Sequence, residues 1–293
     1  MTIDVIKQGI RGLLAKLPVE RFRNPPPLVG VLRLDGVIGR AAGPGRQGLS
    51  LESHEKAITK LFDNKRLKAV ALVVNSPGGS PVQSALIARR IRDLAEEKEL
   101  PVTAFCEDVA ASGGYWLACA ADEIFADENS IIGSIGVISA GFGFVDLIER
   151  IGIERRVYSS GPRKGMLDPF QDEKQDDIDR LRELHEDIFE NFKNHVRRCR
   201  GDRLRAQDDA LFTGDIWTGR QAVEVGLVDG LAEMRSEMRK RYGDKVKFQR
   251  ADIRRGLLSR LRGGFGGSAL RGIDPAEVIG ALDDWAQWKR FGL

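Results

Sequence analysis

Twice in this chain an apolar run passes through a glycine pair into a helical stretch. Lys68 to Val74 reads K-A-V-A-L-V-V and enters Asn75-Ser76-Pro77-Gly78-Gly79-Ser80, after which a helix is expected from Pro81 to about Lys98. Leu100 to Phe105 is the second run. Asp108 to Trp116, D-V-A-A-S-G-G-Y-W, leads from it into a helix expected over Ser112–Ala121. Strands that are apolar at nearly every position, with no polar alternation, are buried on both faces, and that geometry belongs to parallel sheets covered by helices. The remaining pattern fits the same plan. Leu28–Leu34 reads as a first strand, residues 39–50 as a glycine-rich loop and Ser53–Asn64 as a helix. Asp122–Ala126 reads as a short strand, Ile131–Ile138 as an extended run punctuated by glycine, Phe144–Ile151 as a helix and Glu154–Ser159 as a strand. A long helix over Asp172–Cys199 carries an apolar stripe through Ile178, Leu181, Leu184, Ile188, Phe189, Phe192 and Val196. The expectation is an α/β fold of stacked βαβ units around a mostly parallel sheet.

The body is expected to span 28–250. Ahead of it, residues 1–27 read as an amphipathic helix, with Ile3, Ile6, Ile10, Leu13, Leu14 and Leu17 at helical spacing, followed by Pro25-Pro26-Pro27. Behind it, residues 251–293 read as an Arg/Gly-rich linker and a helix from Pro275 to about Arg290, a helical C-terminal extension. The net charge of +3 is unevenly placed. Residues 1–23 hold five Lys/Arg against two Asp/Glu, and residues 251–271 hold five Arg against one Asp, so the flanks carry +3 and +4 and the rest about −4. Basic flanks on an acidic body suit peripheral contact with an anionic surface and argue against a nucleic-acid binder. No run reaches the ~18 apolar residues that span a bilayer, so a cytoplasmic protein, peripheral at the inner face of the membrane, is expected. The amphipathic helix fits a membrane surface or docking on the body or another subunit equally well. Three cysteines with no C-x-x-C spacing suggest neither a disulfide set nor zinc, and no metal or cofactor is expected.

Ser112 stands where a strand turns into a helix. That position presents a nucleophile, and it equally suits a serine capping a helix. The loop Asn75–Ser80 also lies between a strand and a helix. Its glycines either free backbone amides for an oxyanion, with Gly79 and Gly113 as the two donors, or form a simple turn. The phosphate-loop patterns G-x-x-x-x-G-K-[ST] and G-x-G-x-x-G are absent. A serine nucleophile needs a base. The three histidines are His54, ahead of the glycine loop, and His185 and His195, expected on the surface of the long helix. Lysine is the other option. Tyr158–Pro169 places Lys164 in a glycine-flanked loop, with Ser159 and Ser160 near enough in sequence to orient it. Such a lysine works as a base only when neutral, which requires its amine to be buried in the assembled site. Otherwise it is a solvated loop residue.

Ser76–Ser80 (S-P-G-G-S), Ala111–Trp116 (A-S-G-G-Y-W) and Ser160–Lys164 (S-G-P-R-K) stand in the order of the signal peptide peptidase A family, also called protease IV, which the chain resembles over roughly 28–232. Ile131–Ile138 and Phe212–Gly230 resemble it too. The resemblance implies a crotonase-like, Clp-protease-like fold and a serine endopeptidase with Ser112 as nucleophile and Lys164 as general base. Gly79 and Gly113 would form the oxyanion hole. Ile132, Gly133, Ser134, Ile135 and Gly136 would line an extended peptide substrate paired as an added strand. It also implies unstructured apolar peptides such as residual signal peptides as substrates, and a homo-oligomeric ring or dome in which neighbours share the site. Many members carry an N-terminal transmembrane anchor, and none is read here. A crotonase-fold enzyme acting on acyl thioesters is an alternative, disfavoured by the lack of a clear carboxylate in the glycine loop. An inactive membrane-associated scaffold is a second.

Overall fold

The computed structural model describes residues 25–39, 48–161, 163–251 and 285–292. Eight strands form one sheet: β1 (Leu28–Asp35), β2 (Leu67–Ser76), β3 (Val102–Ala111), β4 (Glu123–Ala126), β5 (Ile131–Gly133), β6 (Ile216–Thr218), β7 (Gly230–Leu231) and β8 (Lys247–Arg250). The main path runs β6-β5-β3-β2-β1-β8, with β4 and then β7 branching from β3. Every pairing is parallel except β5 with β6. Around it lie helices α1 (Leu51–Phe62), α2 (Pro81–Glu97), α3 (Gly113–Ala118), α4 (Val145–Arg150), α5 (Gln175–Arg200), α6 (Asp208–Leu211), α7 (Gly219–Val225) and α8 (Met234–Tyr242). This is the mostly parallel α/β architecture expected from the apolar runs.

Both faces of the sheet are buried, which is why β1 and β2 read as continuous apolar runs. Leu32, Leu34, Val70, Leu72 and Val74 point into the larger core with Ile58 and Leu61 of α1 and Ile87 and Ile91 of α2. Val29, Val31, Ala69, Ala71 and Val73 point the other way, against Met238 of α8 and Val246. The segment after Leu231 is therefore part of the body, since α8 seals the second face and β8 pairs with β1.

β3 is the branching strand. Its first half, Thr103–Cys106, pairs with β4, and its last residues, Val109–Ala111, pair with β5. A register shift against β2 separates Cys106 from Ala110, and Asn75 secures it. Asn75 accepts from the Val109 amide (3.2 Å) and donates to Asp108 (3.0 Å). The strand thus runs six residues beyond Phe105, directly up to Ser112.

Three expectations change. Glu154–Ser159 is irregular and exposed, because no neighbouring strand is available to pair with it. His195 is half-buried, stacking on Trp116 with ring centroids 4.6 Å apart, so it packs α5 onto α3 instead of decorating a surface. The extended run from Ile131 ends as a strand at Gly133, where Ser134 takes a left-handed conformation (φ 51°). The amphipathic N-terminal helix and the linker after 251 lie outside the described residues. Of the expected C-terminal helix, 285–289 is described and helical.

Candidate active site

Ser112 joins β3 to α3 with φ 52° and ψ −122°. A non-glycine residue there costs on the order of 1–3 kcal/mol and persists only where its surroundings fix it. The fixing contacts are short. The Ser112 amide donates to the Gly133 carbonyl (2.7 Å), and its carbonyl accepts from the Trp116 amide (3.0 Å). Ser112 holds the N-cap position of α3, yet its side chain makes no capping bond. The capping explanation for this serine therefore fails. Its half-exposed hydroxyl has no hydrogen-bond partner among the described residues, and it sits at the sharp strand-to-helix turn that presents nucleophiles.

The glycine loop closes on this turn from the side. A Cβ added at Gly78 would lie 2.8 Å from the Ser112 Cβ and 3.0 Å from the Gly113 nitrogen. A Cβ at Gly113 would lie 3.4 Å from the Gly79 nitrogen and 2.5 Å from the buried Ser84 Oγ. At Gly79 (φ 137°) a side chain would overlap the Ile38 backbone. Ile38 clamps this loop, its amide donating to the Gly78 carbonyl (2.8 Å) and its carbonyl accepting from Ser80 (2.8 Å). These bonds leave the Gly79 amide unused. Gly113 is the first residue of α3, where an amide has no partner within the helix. Two neighbouring N–H groups, neither hydrogen bonded among the described residues, thus lie beside the serine. Asn75 is the first residue of N-S-P-G-G, whereas Ile38 lies far from that motif in the sequence and carries no signal of its role there.

On the other side lies β5. Its backbone over Ile131–Gly133 is paired with β3 on one edge and β6 on the other, and the Ser134 amide donates to Asp215 (2.7 Å). Ile132 and Gly133 thus have no free ladder edge for a substrate, and Trp217 packs under Gly133. Ile135, Gly136 and Val137 make no backbone hydrogen bond among the described residues, so an added strand can start there.

Lys164 and Ser112 share no hydrogen bond among the described residues. Lys164 stands exposed in a turn, its amide bonded to the Gly161 carbonyl (3.2 Å), and no hydrogen bond or ion pair of its side chain is made among the described residues. Ser159 and Ser160 are exposed as well. All three lie on an arm, 138–176, in which no described residue is buried. The histidines are engaged elsewhere. His54 Nδ1 lies 2.7 Å from Ser53 Oγ and 3.1 Å from the Ser50 carbonyl, and burial lowers its pKa. His195 Nε2 donates to the Trp116 carbonyl (3.1 Å), and burial lowers its pKa to about 4. His185 meets Ser139 Oγ at 2.7 Å. Among the described residues no cluster of His, Cys, Asp and Glu is fit to hold a metal.

An α/β body presenting a strained serine beside two unused amides has the organisation of an acyl-transfer hydrolase. The model of peptidase family S49 matches residues 95–246. The chain belongs to that family. Protease 4 of Haemophilus influenzae is 30% identical over 82% of this chain and 38% of its own length. The chloroplastic serine protease SPPA of Arabidopsis thaliana is 32% identical over 69% of this chain and 30% of its own. A Brucella abortus protein named Na(+)/H(+) antiporter NhaA is 48% identical over 97% of this chain, which spans 40% of its length. No helix among the described residues is long and apolar enough to cross a membrane.

Proposed function

We infer that this chain is a serine endopeptidase working through an acyl-enzyme. Ser112 is its nucleophile, Lys164 its general base, and the Gly79 and Gly113 amides its oxyanion hole. The observation carrying this reading is the strained Ser112, its hydroxyl uncommitted beside two unused N–H groups. Ser112 Oγ attacks the scissile carbonyl while the amine of Lys164 takes its proton. The two amides receive the oxyanion, and each such donor is worth about 10²–10³ in rate. The proton passes to the leaving amine, and water then releases the acyl group by the reverse sequence. Ile135–Val137 pairs with the substrate as an added strand, which favours unstructured, apolar peptides such as residual signal peptides. The activity in the antiporter's name is that of a protein more than twice this chain's length, and the serine site supports peptidase chemistry instead.

Lys164 reaches the site in a homo-oligomer, from a neighbouring copy whose arm buries its amine. The exposure of the arm supports this. The test uses an unstructured apolar peptide. Ser112→Ala and Lys164→Ala each abolish cleavage and leave the far-ultraviolet dichroism unchanged, and mixing the two inactive variants restores part of the activity. Turnover by either variant alone overturns the dyad. Failure of the mixture places both residues in one chain.

A further inference from the structure

The end of the sheet opposite Ser112 is basic, and no part of the peptidase reading uses it. Leu67 opens β2 and Lys247 opens β8, one on each side of Leu28 in the register. At the usual strand spacing they lie roughly 10 Å apart. Lys68 is the extra residue at the register shift between Leu28 and Val29, which turns it out of the ladder. Asn64 donates to Gln249 (2.6 Å), holding the Lys65–Arg66 turn against β8. Lys65, Arg66, Lys68, Lys245 and Lys247 are therefore gathered at one end. All five are exposed, and none makes an ion pair among the described residues. Acids stand nearby too: Asp244 in the same turn, Asp63 and Glu97, both engaged by Lys98 (3.4 and 2.8 Å), and Glu99, just ahead of Pro101, whose carbonyl accepts from Val70 of β2; the five cations outnumber them.

The N-terminal basic flank joins the body at this end, and the C-terminal one leaves from the far end of the four-residue β8. The Pro27 carbonyl accepts from the Lys247 amide (2.8 Å), and the Ala251 amide donates to Val31 (2.8 Å). The segments beyond carry +3 over 1–23 and +4 over 251–271, the first with apolar residues at helical spacing. A cationic cluster next to an N-terminal segment that is itself basic and amphipathic in sequence matches an anionic lipid surface, whereas a nucleic acid would use the charge and not the apolar spacing.

We propose that this basic end of the sheet is a docking surface for anionic lipid headgroups, holding the protein peripherally on a membrane. β3 has 10 residues. Ser112 then stands roughly 30 Å from the lipid plane at about 3.3 Å per residue, and the site opens away from the bilayer. The proposal does not depend on the peptidase chemistry.

The full chain is sedimented with phosphatidylcholine vesicles, with and without about 30% phosphatidylglycerol, at low and high salt. It pellets with the anionic vesicles at low salt only. Each cation changed to Gln weakens partitioning about fivefold, and the fivefold variant weakens it at least about 100-fold. Arg180→Gln/Arg182→Gln, an equal loss per site on α5, leaves it unchanged, and soluble-peptide cleavage stays at the wild-type rate throughout. Equal binding to neutral vesicles, wild-type binding by the fivefold variant, or tighter binding to duplex DNA than to anionic vesicles overturns the proposal. Loss of cleavage with lipid binding intact counts against the peptidase reading alone.

Discussion

At the scale of single residues, strain and burial separate what Ser112 and His195 do. Ser112 adopts φ 52°, a conformation that glycine reaches without steric cost. Ser112→Gly therefore stabilises the fold by about 1 kcal/mol while removing the proposed nucleophile. Urea unfolding reads the gain, and an unchanged or lower midpoint means the turn is not strained. His195 is the opposite case. Burial against Trp116 holds it neutral, with its pKa lowered to about 4 from 6.5. The unfolded chain binds a proton as pH falls through 6.5, and the folded one does so only near 4. Its stabilising contribution is thus whole above pH 6.5 and lost between 6.5 and 4, by up to about 3 kcal/mol. His195→Phe removes that slope, measured as urea midpoints at pH 7 and pH 5. A variant as pH-sensitive as the wild type excludes the assignment. Ser112 was legible in sequence because A-S-G-G sits at a strand end. His195 was not, because spacing on a helix does not reveal that a tryptophan from another element covers it.

At the scale of elements, the long helix α5 is anchored at one end and open at the other. Arg200, fully buried at its C-terminus, donates from Nη1 and Nη2 to Asp229 (2.8 and 2.9 Å) and from Nε to the Gly226 carbonyl (2.9 Å). Asp229 in turn accepts from the Ile124 amide of β4 (2.7 Å). Burial raises the Asp229 pKa, but the Arg200 hydrogen bonds and the Ile124 amide outweigh it and the net shift is downward. Its contribution is therefore present above the ordinary carboxylate range and lost as pH falls below it. Arg200→Ala leaves that carboxylate with only the longer, more exposed Arg203 contact (3.3 Å) and costs about 3 kcal/mol, whereas Arg200→Met/Asp229→Leu recovers most of the loss. Thermal unfolding of the pair decides it, and equal destabilisation by both variants rules out a paired-charge anchor. The apolar stripe made α5 legible from sequence. The anchor was hidden because a charged residue near a helix end ordinarily faces water. Glu154–Ser159 misled for the related reason that strand-forming residues such as Val157 and Tyr158 do not make a strand without a pairing partner.

At the scale of the whole molecule, the arm between β5 and α5 is the part that a single chain leaves unexplained. Tyr158 is 91% exposed, Phe142 80%, Ile138 69% and Ile151 60%. Apolar side chains left this open over one continuous segment are what the proposed homo-oligomer would bury. The mostly parallel sheet was legible because burial of both faces writes itself into each strand. The arm's place was not, since its aromatic contacts, Phe142 with Phe144 and Phe144 with Phe170, stay within the arm and leave most of its apolar surface open among the described residues. Burying four such side chains contributes roughly 6–12 kcal/mol before the cost of association, which is of similar size. Every one of them therefore counts in assembly. Phe142→Ser weakens self-association by about 2 kcal/mol, or roughly thirtyfold. In sedimentation velocity the wild type runs well above the 32.4 kDa of one chain. Phe142→Ser/Tyr158→Ser moves it toward that mass, and peptide cleavage falls in step because Lys164 leaves with the arm. A monomeric wild type that still cleaves peptide rejects the shared site, and then the arm must fold back so that Lys164 meets Ser112 within its own chain.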